Sequence, residues 1–111
     1  MITAARAWGE SYAWVAHEKP AIKAGLAPEI IEALRQQRKP DFKNGDERVI
    51  YEALSELLET RSLSQPGYDR LIKEFGLDLT IEIVSVAGFY GMIATVLKGF
   101  DVPTPNGEKP F

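Results

Sequence analysis

The sequence predicts an all-α fold of about five helices. Five stretches place apolar residues at helical spacing, no stretch sustains the alternation of a half-buried strand, and glycine, proline, serine or asparagine punctuates the ends. The first helix is expected over residues 3–24, bent at Gly9, with Gly25 supplying the left-handed residue that ends it. The second is short, with Pro28 in its first turn and Ile30, Ile31 and Leu34 on one face. The third opens at Asn44, whose side chain can cap free amides while Glu47 reaches back as in a capping box. Ile50, Leu54, Leu57 and Leu58 form its apolar stripe.

The fourth helix begins after Ser64 and Pro66, is expected to bury Tyr68, Leu71, Ile72 and Phe75, and stops at Gly76. The fifth runs from near Asp78 to about Leu97 and carries the longest apolar run. It is therefore expected to be the buried, central helix. Gly88 and Gly91 weaken it, so their expected use is close approach of a neighbouring helix. RQQRKPDFKNG reads as a polar linker, and the three-proline stretch from Val102 to Phe111 as an irregular tail, leaving residues 1–101 as the domain.

Composition narrows the function classes. A chain of 111 residues, 45% hydrophobic and 26% charged, suits one globular domain. At this size it buries roughly two-thirds of its unfolded surface, a limited margin. The net charge of -3, from 16 acidic and 13 basic residues, gives no field that attracts nucleic acid or anionic lipid, and neither is expected as a partner. The run Ile83–Leu97 falls short of the roughly 20 residues a bilayer crossing needs, and contains Ser85, Gly88, Gly91 and Thr95. No secretory pattern opens the chain, so a soluble, cytoplasmic protein is expected. Absence of cysteine excludes disulfides and thiol redox chemistry, and a single histidine, His17, excludes a multi-histidine metal site in one subunit.

Candidate chemistry concentrates between Trp8 and Leu26. On a continuous helix Glu10, Ala13 and His17 lie on nearly one face, with carboxylate and imidazole about 10 Å apart along the axis. Such a pair can flank a small ligand. Trp14 borders that face, and Tyr12 points away from it. Plainer readings stand beside this one. Glu10 can pair with Arg6, and His17 can bond a backbone carbonyl or sit exposed near the helix end. Trp8, Tyr12 and Trp14 can be core or interface aromatics, and Lys19, Lys23, Arg35, Arg38 and Lys39 a solvated face.

The run YAWVAHEKPAIKAGLAPEIIEALR resembles the YEWxxHExxAxxAGLxxxxIxAL stretch of the carboxymuconolactone decarboxylase and alkylhydroperoxidase D-like superfamily. DERVIYEALSELL, SQPGYDRLIKEFG and LTIEIVSVAGFYGMIATVLKGFDVP resemble the three helices that follow it there. The similarity spans nearly the whole chain. It implies an alkylhydroperoxidase D-like helical bundle, assembled as a homo-oligomeric trimer or hexamer, acting on a small anionic molecule without cofactor or metal. Family members usually carry further helical sequence before this motif, so either the start is missing or another subunit supplies the cover. Redox members hold a C-x-x-C pair where Glu10 and Ala13 stand, so thiol peroxidase chemistry is excluded. Many cysteine-free relatives place a glutamate at the position of Ala13, and Glu10 lies one turn earlier. The resemblance implies a cofactor-independent lyase for a carboxylated lactone or a similar aromatic-degradation intermediate. His17 would be proton donor, Glu10 would orient or recharge it, and Trp14 with Tyr12 or Tyr90 would shape the pocket. The alternative is a non-catalytic oligomeric binding or scaffold member.

Overall fold

A computed structural model describes residues 1–111 and contains five α-helices and no strand. They are α1 Ile2–Ala7, α2 Ser11–Lys23, α3 Pro28–Arg35, α4 Gly45–Thr60 and α5 Gln65–Gly99. The all-α expectation holds, with a different division of the chain. The expected first helix is two helices, and the expected fourth and fifth form one long element.

Gly9 causes the first difference. It adopts φ 63°, and α1 closes there in a Schellman turn: Gly9 N–H donates to Arg6 O and Glu10 N–H to Ala5 O, each at 2.9 Å. Glu10 is extended, φ -98° and ψ 104°, and its carboxylate accepts from Ala13 N–H at 2.6 Å to cap α2. The expected bend is a complete break. Gly25, at φ 96°, ends α2 with the same pattern, Leu26 N–H reaching Ala21 O at 3.0 Å. Gln37 does so for α3 at φ 57°, with Arg38 N–H on Ala33 O at 2.8 Å.

Asn44 caps α4 through Oδ1, which accepts from Asp46 N–H at 2.9 Å and Glu47 N–H at 3.4 Å. Glu47 makes no return bond, so the cap runs one way. The buried face of α4 is Val49, Ala53 and Leu54; Ile50, Leu57 and Leu58 are half-buried flanks. Ser64 Oγ caps α5 by accepting from Gly67 N–H at 3.2 Å, while Ser64 N–H and O–H both donate to Glu56. Those bonds, the backbone N–H foremost, hold the Glu56 carboxyl below the usual carboxylate range.

Gly76, at φ 77° and ψ 173°, kinks α5 where its fourth-helix part was expected to stop. Beyond the kink the expectation of a buried central helix fails. Thr80, Ala87, Tyr90 and Ala94 are buried, whereas Leu79, Ile81, Val84, Phe89, Met92 and Val96 are exposed. Before it, Leu71 is buried as expected but Tyr68 is exposed. A chain of this size has too few other elements to wrap a helix that is apolar all round. By length and composition α5 can also cross a bilayer, which the shorter run Ile83–Leu97 was not expected to do.

The hub is α1, which touches all four other helices. Ala4 and Ala5, both nearly fully buried, keep it slim enough for neighbours to close in. Around it Ile2, Ala5, Ala13, Trp14, Ile30, Ile31 and Leu34 form the main core; Val49, Ala53 and Leu71 form a smaller one beneath α4 and α5. Trp14 is 0% exposed, and burying an aromatic side chain of about 200 Å² contributes about 5 kcal/mol. Gly91 lets Trp8 approach, since a Cβ there would lie 3.3 Å from Trp8 Cζ2; Gly88 faces open space and serves no neighbour within the chain. Residues 102–111 form no helix, and Phe111 packs edge-on against Trp14 with ring centroids 5.7 Å apart.

Candidate functional site

His17 lies in α2 and Tyr90 in α5, and the hub helix brings the two together from 73 residues apart. Tyr90 Oη and His17 Nε2 are 2.6 Å apart, with ring centroids 5.1 Å apart and planes near perpendicular. The direction of this hydrogen bond follows the imidazole tautomer. With Nε2 bare, the hydroxyl donates to it. With Nε2 protonated, the ring donates to the hydroxyl oxygen, freeing the hydroxyl proton for Met1 Sδ at 3.0 Å.

Burial sets the protonation of both groups. It pushes the half-buried His17 below the ordinary imidazole value, the positive amino group of Met1 adding to the effect. The same desolvation pushes the Tyr90 phenol up. Both side chains are therefore neutral at pH 7, and passing the phenol proton to the imidazole would create a poorly solvated ion pair, so the bond orients the ring rather than relays a proton.

The other sequence-derived site residues lie elsewhere. Glu10 is buried, but its carboxylate is engaged at the start of α2, forms no ion pair with Arg6, and does not share a helical face with His17. The two-turn spacing required an unbroken helix, and Gly9 removes Glu10 from it. Tyr12, expected to help shape a pocket, is exposed and makes no hydrogen-bond or ring contact with His17 or Tyr90. Trp14 belongs to the core: its Nε1–H donates to Glu18 Oε2 at 3.1 Å, and the Arg35 guanidinium lies 5.3 Å over its ring. Arg35 is in turn no solvated charge. It pairs with Glu18 and Glu32, and Nη1 donates to Pro110 O at 3.2 Å. Trp8 Nε1 is buried without a partner.

Two concavities elsewhere in the fold do not reach His17. One, about 250 Å³, lies between α1, the end of α3 and α4 and includes Arg6, Arg38, Tyr51 and Ser55. Another, about 360 Å³, lies between α2 and the tail, beside Glu18, Lys19 and Arg35. Sequence reading missed the first, because three separate elements build it and no spacing along the chain signals it. No group of three or more histidine, aspartate and glutamate side chains converges anywhere.

Fold and site define a class: an all-α domain with a neutral tyrosine–histidine pair beside an exposed apolar helix. Searches against protein families, curated proteins and solved structures return no match to this chain.

Proposed function

We propose that the chain is a carboxymuconolactone decarboxylase-like helical unit, a cofactor-independent carbon–carbon lyase for a small carboxylated lactone, working as a homo-oligomer. The observation that carries this reading is the 2.6 Å bond between His17, from the motif that resembles the family, and Tyr90. In decarboxylation the bond to the leaving carboxylate breaks, and its electron pair passes into the lactone carbonyl as an enolate. Carbon dioxide departs, and carbon takes a proton from His17 in its imidazolium form, the minor form at pH 7, which regains one from solvent. Tyr90 holds the ring in place, the part first expected of Glu10.

On α5, Tyr90 is buried while Phe89 and Met92, close to it in sequence, are exposed. Packing of a second copy there would bury that apolar surface. Sedimentation velocity at micromolar concentration should show a trimer or hexamer that Phe89→Glu dissociates; a stable parent monomer would refute the assembly. Carboxymuconolactone incubated with the parent should lose carbon dioxide, and His17→Gln should be slower by roughly 10²- to 10⁴-fold.

A second reading, a non-catalytic scaffold of the same family, is favoured by one observation. The Glu10 carboxylate is committed to a helix cap and the Glu18 carboxylate to Trp14 and Arg35, so neither is left to work with His17. An assembled oligomer without turnover would select it.

A further inference from the structure

The concavity between α1, the end of α3 and α4 stands apart from the His17–Tyr90 pair and carries a charge pattern of its own. Its apolar floor includes buried Leu34 and half-buried Leu58. Arg6 and Arg38 supply its cations.

Neither arginine has a carboxylate partner, since the ion pairs of the chain engage only Arg35, Lys39 and Arg70. Arg6 is nonetheless held in place: its Nε–H donates to Arg35 O at 2.7 Å, and its guanidinium lies 4.1 Å over the Phe111 ring. Arg38 Nε–H donates to Gln36 Oε1 at 2.9 Å. Using Nε in this way leaves the terminal nitrogens of both forks for another acceptor. Ser55 and the half-buried Tyr51 add hydroxyls, and Tyr51 is braced against Phe42 with ring centroids 5.3 Å apart. Glu59, exposed, also lines the space without pairing to either arginine, so two positive charges face one negative.

From this arrangement we infer that the concavity binds a small organic monocarboxylate with a flat apolar body. The carboxylate takes the guanidinium forks, and the body lies on Leu34 and Leu58 beside the Tyr51 ring. About 250 Å³ accommodates one ring with its acid group, below the size of drug-scale pockets. Two cations against one anion leave a single positive charge to be neutralised, which a monocarboxylate does and a dianion exceeds.

Benzoate is the probe, titrated calorimetrically into the full chain at low salt, with methyl benzoate and inorganic phosphate as comparisons. Saturable benzoate binding is expected below about 10 mM, weakening as salt screens the arginines, with neither comparison compound binding. Arg38→Gln, an exposed position, should weaken benzoate about tenfold and leave the helical circular dichroism unchanged. His17→Gln should leave the affinity as it was. No saturation, parent affinity in Arg38→Gln, or equal binding of methyl benzoate or phosphate would each overturn the inference. Loss of benzoate binding in His17→Gln with retention in Arg38→Gln would place the acid at the tyrosine–histidine pair. That outcome refutes this site while supporting the proposed lyase reading.

Discussion

Replacing Glu10 separates its two conceivable uses, because the cap needs only an acceptor atom whereas proton transfer needs a titrating carboxylate. Glu10 is 5% exposed, and its carboxylate accepts from Ala13 N–H at 2.6 Å. Glu10→Ala removes the cap and leaves that amide facing a protein interior. Loss of a helix cap costs about 0.5–2 kcal/mol, and an unsatisfied buried donor places this one near the top, about 2 kcal/mol. A domain of this size loses about 4 °C of melting temperature per kcal/mol, so Glu10→Ala should melt about 8 °C lower. Glu10→Gln keeps an oxygen in the same place, loses only the charge assistance, and should cost about 0.5–1 kcal/mol. Urea unfolding with an unchanged slope is the assay for both variants. If Glu10→Ala unfolds at the parent midpoint, or Glu10→Gln falls as far as Glu10→Ala, the capping role is wrong. Under the proposed lyase reading, turnover by Glu10→Gln should stay close to that of the parent, since Tyr90 and not Glu10 contacts His17.

Gln37→Gly should raise stability by up to about 1 kcal/mol, because Gln37 holds φ 57° at the end of α3 and glycine adopts that conformation without steric cost; a lower melting temperature would contradict this. His17 titrates below its ordinary value in the folded chain, so its contribution to stability is complete above about pH 6.5 and is lost as pH falls through the folded pKa. His17→Gln should flatten the stability–pH curve on the acid side of about pH 6.5, and an unchanged slope would refute that. The depressed Glu56 carboxyl acts lower, its contribution being complete above about pH 4.5 and lost as pH falls through its own folded pKa, so Glu56→Gln should lower stability above that pH and flatten only the acid limb of the curve. With no sulfur nucleophile, the purified protein should not turn over organic hydroperoxides with any dithiol donor; metal-free catalytic turnover would overturn this.

The ends of the helices were legible in the sequence because their causes are local. A glycine that tolerates positive φ at position 25, an asparagine that caps at 44 and a glycine that interrupts at 76 act through backbone atoms within a few residues. The all-α class followed from periodicity for the same reason. Gly9 marks the boundary of that method: its sequence neighbourhood permits a bent helix or a Schellman turn, and the tertiary structure selected the turn, taking Glu10 off the helical face and into a cap. The exposure of α5 also lay beyond periodicity, since a helix apolar all round reads as buried and only the number of available neighbours decides whether it is. His17 was recognisable as the one histidine, but its partner was not, because a hydrogen bond across 73 residues depends on how α2 and α5 pack around α1. Local chemistry thus determined where most helices stop, and long-range packing decided which of their side chains meet.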